Sequence, residues 1–195
     1  MSNCYEISQN LNNYCELLLN KQIRKEFRIA QIYYSFYIYF MKTDSCYANI
    51  SKYFYNSYLE ERLHGDIIVK YMIKRGAKIE LTDIPLDLDI NKLMENEDNL
   101  DKSSLLLAFE TVLDKEKKIN KSILKIVNSA NNFGDNHLVD FLGFFLKEQV
   151  DSIYKVSIIC NQLKKIGNNG FNLWQYDHNF DFNIKCQFEK MFSPE

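Results

Sequence analysis

Along this chain apolar residues recur at alternating steps of three and four. One series runs Leu19, Ile23, Glu26, Ala30, Tyr33, Tyr37, Phe40, and a second Ile50, Phe54, Ser57, Glu61, His64, Ile68, Tyr71. A third runs Leu105, Phe109, Val112, Glu116, Ile119, Ile123, Ile126, and a fourth Leu138, Leu142, Phe145, Gln149, Ser152, Val156, Ile159, Leu163. Such steps follow the turn of an α-helix and put each series on one stripe of its surface. They predict four long helices over about 10–41, 45–75, 92–129 and 135–166. The breaks agree. "KTDS" (42–45) offers Asp44 and Ser45 as N-caps for the second helix, and Lys74, Arg75 and Gly76 end it. From 77 to about 92 the pattern is lost around Pro85. "NSANNFGDN" (128–136) is a turn, and "KKIGNNG" (164–170) closes the fourth helix before a short one near 171–178. Helices one and two are joined tightly, as are three and four; a long link joins two and three. The expectation is one all-α domain, 1–195, with its bundle over about 10–166 and a short fifth helix and divergent tail in 167–195.

Each stripe is interrupted by a polar group: Glu26, then Glu61 with His64, then Glu116, then Gln149. In an antiparallel pair, residues equidistant from the turn sit at one level. Glu26 and Glu61 are equidistant from the first turn, and Glu116 and Gln149 from the last. So Glu26 should face Glu61, and Glu116 should face Gln149; the numbering leaves the level of one pair against the other open. A single glutamate on a stripe commonly snorkels to solvent, and a single histidine is commonly a hydrogen-bonded core residue. Here four stripes are interrupted at matched levels, and none carries Lys or Arg. A buried carboxylate without a partner costs several kcal/mol or takes up a proton, so the group calls for a cation. Carboxylates with one imidazole suit iron or manganese, whereas structural zinc recruits thiolates. Two divalent ions against three carboxylates leave a charge of about +1, which water, hydroxide or peroxide balances.

Composition narrows the picture. Of 195 residues 46% are apolar, enough for a sizeable core, and the net charge of -2 with no basic run argues against nucleic-acid binding driven by phosphate neutralisation. The start, "MSNCYEISQN", lacks the pattern of a secretory signal. The most apolar run, "IAQIYYSFYIYFM", falls short of the ~20 residues of a membrane span. Cys4, Cys15, Cys46, Cys160 and Cys186 are odd in number and form no C-x-x-C pair, which points to reduced thiols and a cytoplasmic setting.

The stretches "KQIRKEFRIAQIYYSFYIYF", "ISKYFYNSYLEERLHGD", "KRGAKIELTDI", "EKKINKSIL" and "DNHLVDFLGFFLKEQV" resemble the successive signatures of eukaryotic ferritin, from about Leu11 to Gly167. The resemblance is to the heavy, ferroxidase-bearing type. It implies a ferritin-like four-helix bundle with a long crossover between helices two and three and a short C-terminal helix, built into a hollow cage of 24 subunits. It also implies storage of iron that is oxidised from Fe²⁺ by O₂ or peroxide at a centre of two irons per subunit. Glu26, Glu61 and His64 match the family's first iron site. Glu61 bridges to a second, where Glu116 is the other ligand, and Tyr33 and Gln149 match the hydrogen-bonding tyrosine and glutamine.

Departures from the family are as informative. The pore through which iron enters usually has an Asp and, three residues on, a Glu; this chain has Asp140 but Gly143, with Val139 in place of the usual cysteine. The pore is expected to be wider and less negative, with weaker cation focusing. His137 stays near it. The acids that pass iron inward would be Glu60, Leu63 and Asp66, the middle one lost; plain surface charge is an equal reading of Glu60 and Asp66. Trp174 and Tyr176 sit where the family's last helix carries aromatics. Two other readings stay open: a largely structural subunit that co-assembles with other ferritin chains, and a different di-iron bundle. The second usually carries another Glu-x-x-His, which this chain lacks.

Overall fold

A computed structural model describes residues 10–86, 88–95 and 102–181. Cys4, Cys186 and the divergent tail from 182 onward lie outside them. The described residues form α1 (Asn13–Met41), α2 (Ala48–Lys74), α3 (Ile90–Met94), α4 (Ser104–Asn132), α5 (Asn136–Ile166) and α6 (Gly170–His178), with no strand among them. The four long helices are the predicted ones, and α6 is the predicted short one.

The first helix starts at Asn13 rather than near 10, and the third long helix runs to Asn132, through the first half of the stretch read as a turn. Two further boundaries differ from the sequence reading. The third long helix starts at Ser104, not near 92. Its apolar stripe opens only at Leu105, and Ser103 caps it by accepting the Leu106 N–H at 3.2 Å. Residue 92 belongs instead to the short α3, capped by Asp89. Nor do Asp44 and Ser45 cap α2: they lie in the turn, and the helix begins after Tyr47, whose side chain offers no cap. The cap comes from 127 residues away. Asp177 of α6, itself buried, accepts the Ile50 N–H at 2.8 Å and the Asn49 N–H at 3.5 Å, while the Asn49 side-chain amide donates to the Asp177 carbonyl at 2.9 Å. One carboxylate thus satisfies the start of α2 and docks α6. Asp177→Ala should cost roughly 1 kcal/mol and speed hydrogen exchange at the Asn49 and Ile50 amides; unchanged exchange at both would show that Asp177 is not the cap.

The Tyr47 N–H bonds to the Phe40 carbonyl at 3.1 Å and closes the first turn. At the last turn Gly134 takes φ +68°, a left-handed value that suits glycine. Across the two pairs Lys25 meets Ser122 and Tyr33 meets Glu116, so α1 and α4 run antiparallel. It follows that α2 and α4 run parallel and that the link between them must travel the length of the bundle. It does so along one stripe of α1 spaced by four residues. Glu16 accepts the Lys78 N–H, Asn20 bonds to both the Lys78 carbonyl and the Glu80 N–H, and Arg24 and Arg28 donate to the carbonyls of Asp83 and Pro85.

The stripes read from sequence are the core. Tyr37 and Ser152 are only half-buried, and Phe36 rather than Tyr37 fills the core on that turn of α1. Beyond the polar interruptions Phe36, Phe40, Phe54 and Phe109 pack ring to ring, with Phe54 5.2, 5.6 and 5.0 Å from the other three. No helix among the described residues is long and apolar enough to cross a membrane.

Candidate metal centre

The polar interruptions meet midway along the bundle. Glu26 on α1 and Glu61 and His64 on α2 each bring one ligand atom to within 4.8 Å of the others, and all three are buried. Their spacing does this: Glu61 and His64 are three apart, nearly one turn, and share a face of α2. His64 Nδ1 lies 3.3 Å from Glu61 Oε2. Glu116 stands across from them on α4. The Tyr33 hydroxyl donates to its Oε1 at 2.6 Å and the Gln149 amide to its Oε2 at 2.9 Å. Both facing pairs therefore form as the turn distances require. The Tyr33–Glu116 bond sets the level of one pair against the other, which the numbering left open.

Two further residues belong to the centre. The Gln22 amide donates to Glu26 Oε1 at 2.6 Å; a polar residue one turn before Glu26 on the same face was the available signal. Glu148 Oε2 lies 3.1 Å from His64 Nε2, and Glu60, His64 and Glu148 form a second group able to hold a metal ion. Only the adjacency of Glu148 to Gln149 hinted at this. Glu60 is half-buried there rather than on a solvated face. The other transit candidates stand apart. Asp66 is exposed. His137 and Asp140 are exposed near the start of α5, Asp140 roughly 13 Å along the helix from Gln149. His137 Nδ1 is 3.3 Å from the Tyr71 hydroxyl.

A cavity of about 40 Å³ opens among Glu26, Tyr33, Glu61, His64, Glu148 and Gln149, room for one or two ions or waters. Two buried oxygens of its lining, Glu26 Oε2 and Gln149 Oε1, have no protein hydrogen-bond donor. Both are acceptors, which a hard cation satisfies directly.

Charge repulsion is stored here. Burial, then the Glu61 carboxylate, raise Glu26 to about 8. Burial also raises Glu61, to about 7, against the pull of His64 and with the push of Glu116. Burial raises Glu116 despite its two donors. Burial alone would lower His64, but Glu61, Glu148 and Glu26 outweigh it and hold its pKa well above the usual histidine range. A carboxylate raised in the folded state binds more protons there than in the unfolded chain. The stability it contributes is full below the ordinary value of 4.5 and is lost as pH rises through the folded value. The metal-free protein should therefore lose stability between pH 4.5 and about 8, and a bound divalent cation should flatten that slope. Urea unfolding with and without Co²⁺ checks this; a metal-free stability that rises over the interval would contradict the charge balance.

The description "Ferritin-like domain" matches residues 16–166. Chloroplastic ferritin-3 of Arabidopsis thaliana is 32% identical over 164 residues, covering 84% of this chain and 61% of the plant protein. Chloroplastic ferritin-1 of Nicotiana tabacum is 34% identical over 173 residues, or 87% and 65%. A ferritin of the crayfish Pacifastacus leniusculus is 36% identical over 173 residues, or 88% and 90%. The chain thus spans less than two thirds of these plant relatives and nine tenths of the crayfish protein. With a match over most of its length, the chain belongs to the ferritin family.

Proposed function

We propose that the chain is an iron-storage ferritin subunit of the heavy type: it oxidises Fe²⁺ with O₂ at a two-iron centre inside the subunit and deposits the ferric product in a cage of 24 subunits. Iron is both substrate and cargo. The observation that carries the reading is the convergence of Glu26, Glu61 and His64 within 4.8 Å, with Glu116 opposite and buried acceptors lacking donors. Glu26 and His64 hold one ion, Glu61 bridges, and Glu116 holds the second. Each Fe²⁺ gives one electron, and two electrons with two protons reduce O₂ to hydrogen peroxide. The Tyr33 hydroxyl and the Gln149 amide keep Glu116 turned inward, and the surrounding apolar side chains limit the water that reaches the ions. His137 and Asp140 stand on the inward route of iron, and Glu60 and Asp66 on the route to the mineral. The described thiols Cys15, Cys46 and Cys160 are unpaired, in keeping with a cytoplasmic site of action.

Two measurements test this. The native particle should weigh roughly 560 kDa, from the 23.2 kDa chain; a monomer or dimer would end the storage reading. Anaerobic loading with Fe²⁺ followed by oxygen should give fast ferric absorbance that saturates at about two irons per subunit. Oxidation no faster than in buffer alone would end the ferroxidase reading.

A further inference from the structure

Phe27 follows Glu26 on α1, and Gly65 follows His64 on α2. These neighbours of two candidate ligands touch each other across the helix pair. A Cβ built on Gly65 would lie 2.6 Å from Phe27 Cε1 and 2.9 Å from Cδ1 and Cζ, closer than real atoms approach. The Phe27 ring therefore occupies the space where any other residue at 65 would carry its side chain. Glycine is the poorest helix former after proline, and position 65 lies inside α2, where no left-handed backbone calls for it. Around Gly134, Gly143, Gly167 and Gly170, by contrast, a Cβ would meet nothing within 4 Å.

The distance between packed helices is set by the side chains at their contact. Consecutive Cα atoms are about 3.8 Å apart, so a shift at the ring contact is carried into Glu26 and His64 on either side. We propose that Phe27 and Gly65 are positioning residues: the ring seated on the bare backbone of α2 sets how closely Glu26 approaches Glu61 and His64, and so the size of the cation that fits between them. This rests on the metal reading above. If α1 is pushed outward, the Glu26 carboxylate leaves the 4.8 Å group. If the ring instead swings away, α1 loses the contact that seats it.

The test uses Co²⁺ alone, whose visible absorption reports both binding and ligand geometry. The parent, Gly65→Ala, Phe27→Leu and the double variant are titrated anaerobically, and their metal-free melting is recorded alongside. Gly65→Ala should bind Co²⁺ roughly tenfold or more weakly and shift its spectrum. Phe27→Leu should weaken binding by itself. The double variant, with the clashing ring atoms gone, should bind better than Gly65→Ala and regain the parent spectrum, a coupling that unrelated sites do not show. Equal affinity and spectrum in parent and Gly65→Ala would overturn the proposal. So would a double variant that binds no better than Gly65→Ala or, where Gly65→Ala fails to fold, no better than Phe27→Leu. A folded parent that binds no Co²⁺ would overturn the metal reading itself, and the positioning role with it.

Discussion

Glu61→Ala combined with His64→Ala should slow Fe²⁺ oxidation by roughly 100-fold or more, beyond the 10–100-fold typical of losing only an outer hydrogen-bond partner. The double substitution takes away the proposed bridge and the only imidazole in the buried group. Glu26 and Glu116 would remain on opposite sides of a widened cavity with neither of the two α2 ligands between them. The fold should survive, because the variant replaces two buried polar groups by small apolar ones and removes, with Glu61, the carboxylate that pushes on Glu26. Particle mass and helical content should therefore match the parent while Co²⁺ binding is lost. A variant that oxidises iron at the parent rate would place the chemistry elsewhere. A variant that loses the proposed cage along with the proposed activity would show the cluster to be architectural first.

The largest loss of stability should come from the other end of the bundle. Asp135 pairs with Arg75 through two contacts, 3.2 and 2.9 Å, and also caps α5 by accepting the Leu138 N–H at 3.0 Å. Both side chains of the pair are buried. Asp135→Ala would take its carboxylate partner from the buried Arg75 guanidinium, which also donates to the Tyr71 hydroxyl. Breaking one partner of a buried pair costs about 3–5 kcal/mol, and losing a helix cap adds about 1 kcal/mol. Urea unfolding of the metal-free protein should show that loss. Replacing both residues, Arg75→Met with Asp135→Ala, should recover part of it, because the buried guanidinium is removed together with its carboxylate. A single-variant cost below 1 kcal/mol would show that the Asp135 carboxylate is not what holds Arg75 in place.

The candidate site was unusually legible because a helical bundle buries one narrow stripe per helix. A carboxylate on that stripe breaks a regular pattern, and Glu26, Glu61 with His64, and Glu116 each did so. The facing pairs were legible as well, since a tight turn turns distance along the chain into height. Glu148 escaped because it borders its stripe, where a charged residue looks like ordinary surface; only the approach of α5 to α2 turns it toward His64. Gln22 escaped because its partner, Glu26, was already accounted for. The start of the third long helix was misplaced because residue 92 lies in a short helix of its own, capped by Asp89, and local propensity does not distinguish that turn from the beginning of a longer helix.

The sequence by itself determined the four long helices, their buried faces and the residues that interrupt them, because helical periodicity is a local property that the residue order records directly. Tertiary structure alone decided what depends on distant atoms meeting. The Tyr33–Glu116 bond sets the level of one helix pair against the other. The Glu16, Asn20, Arg24 and Arg28 stripe lays the link along α1. Asp177 caps a helix that begins far away in the chain. Each of these is a hydrogen bond between groups dozens of residues apart, and no local pattern encodes it, since the chain must first fold before the partners share a neighbourhood.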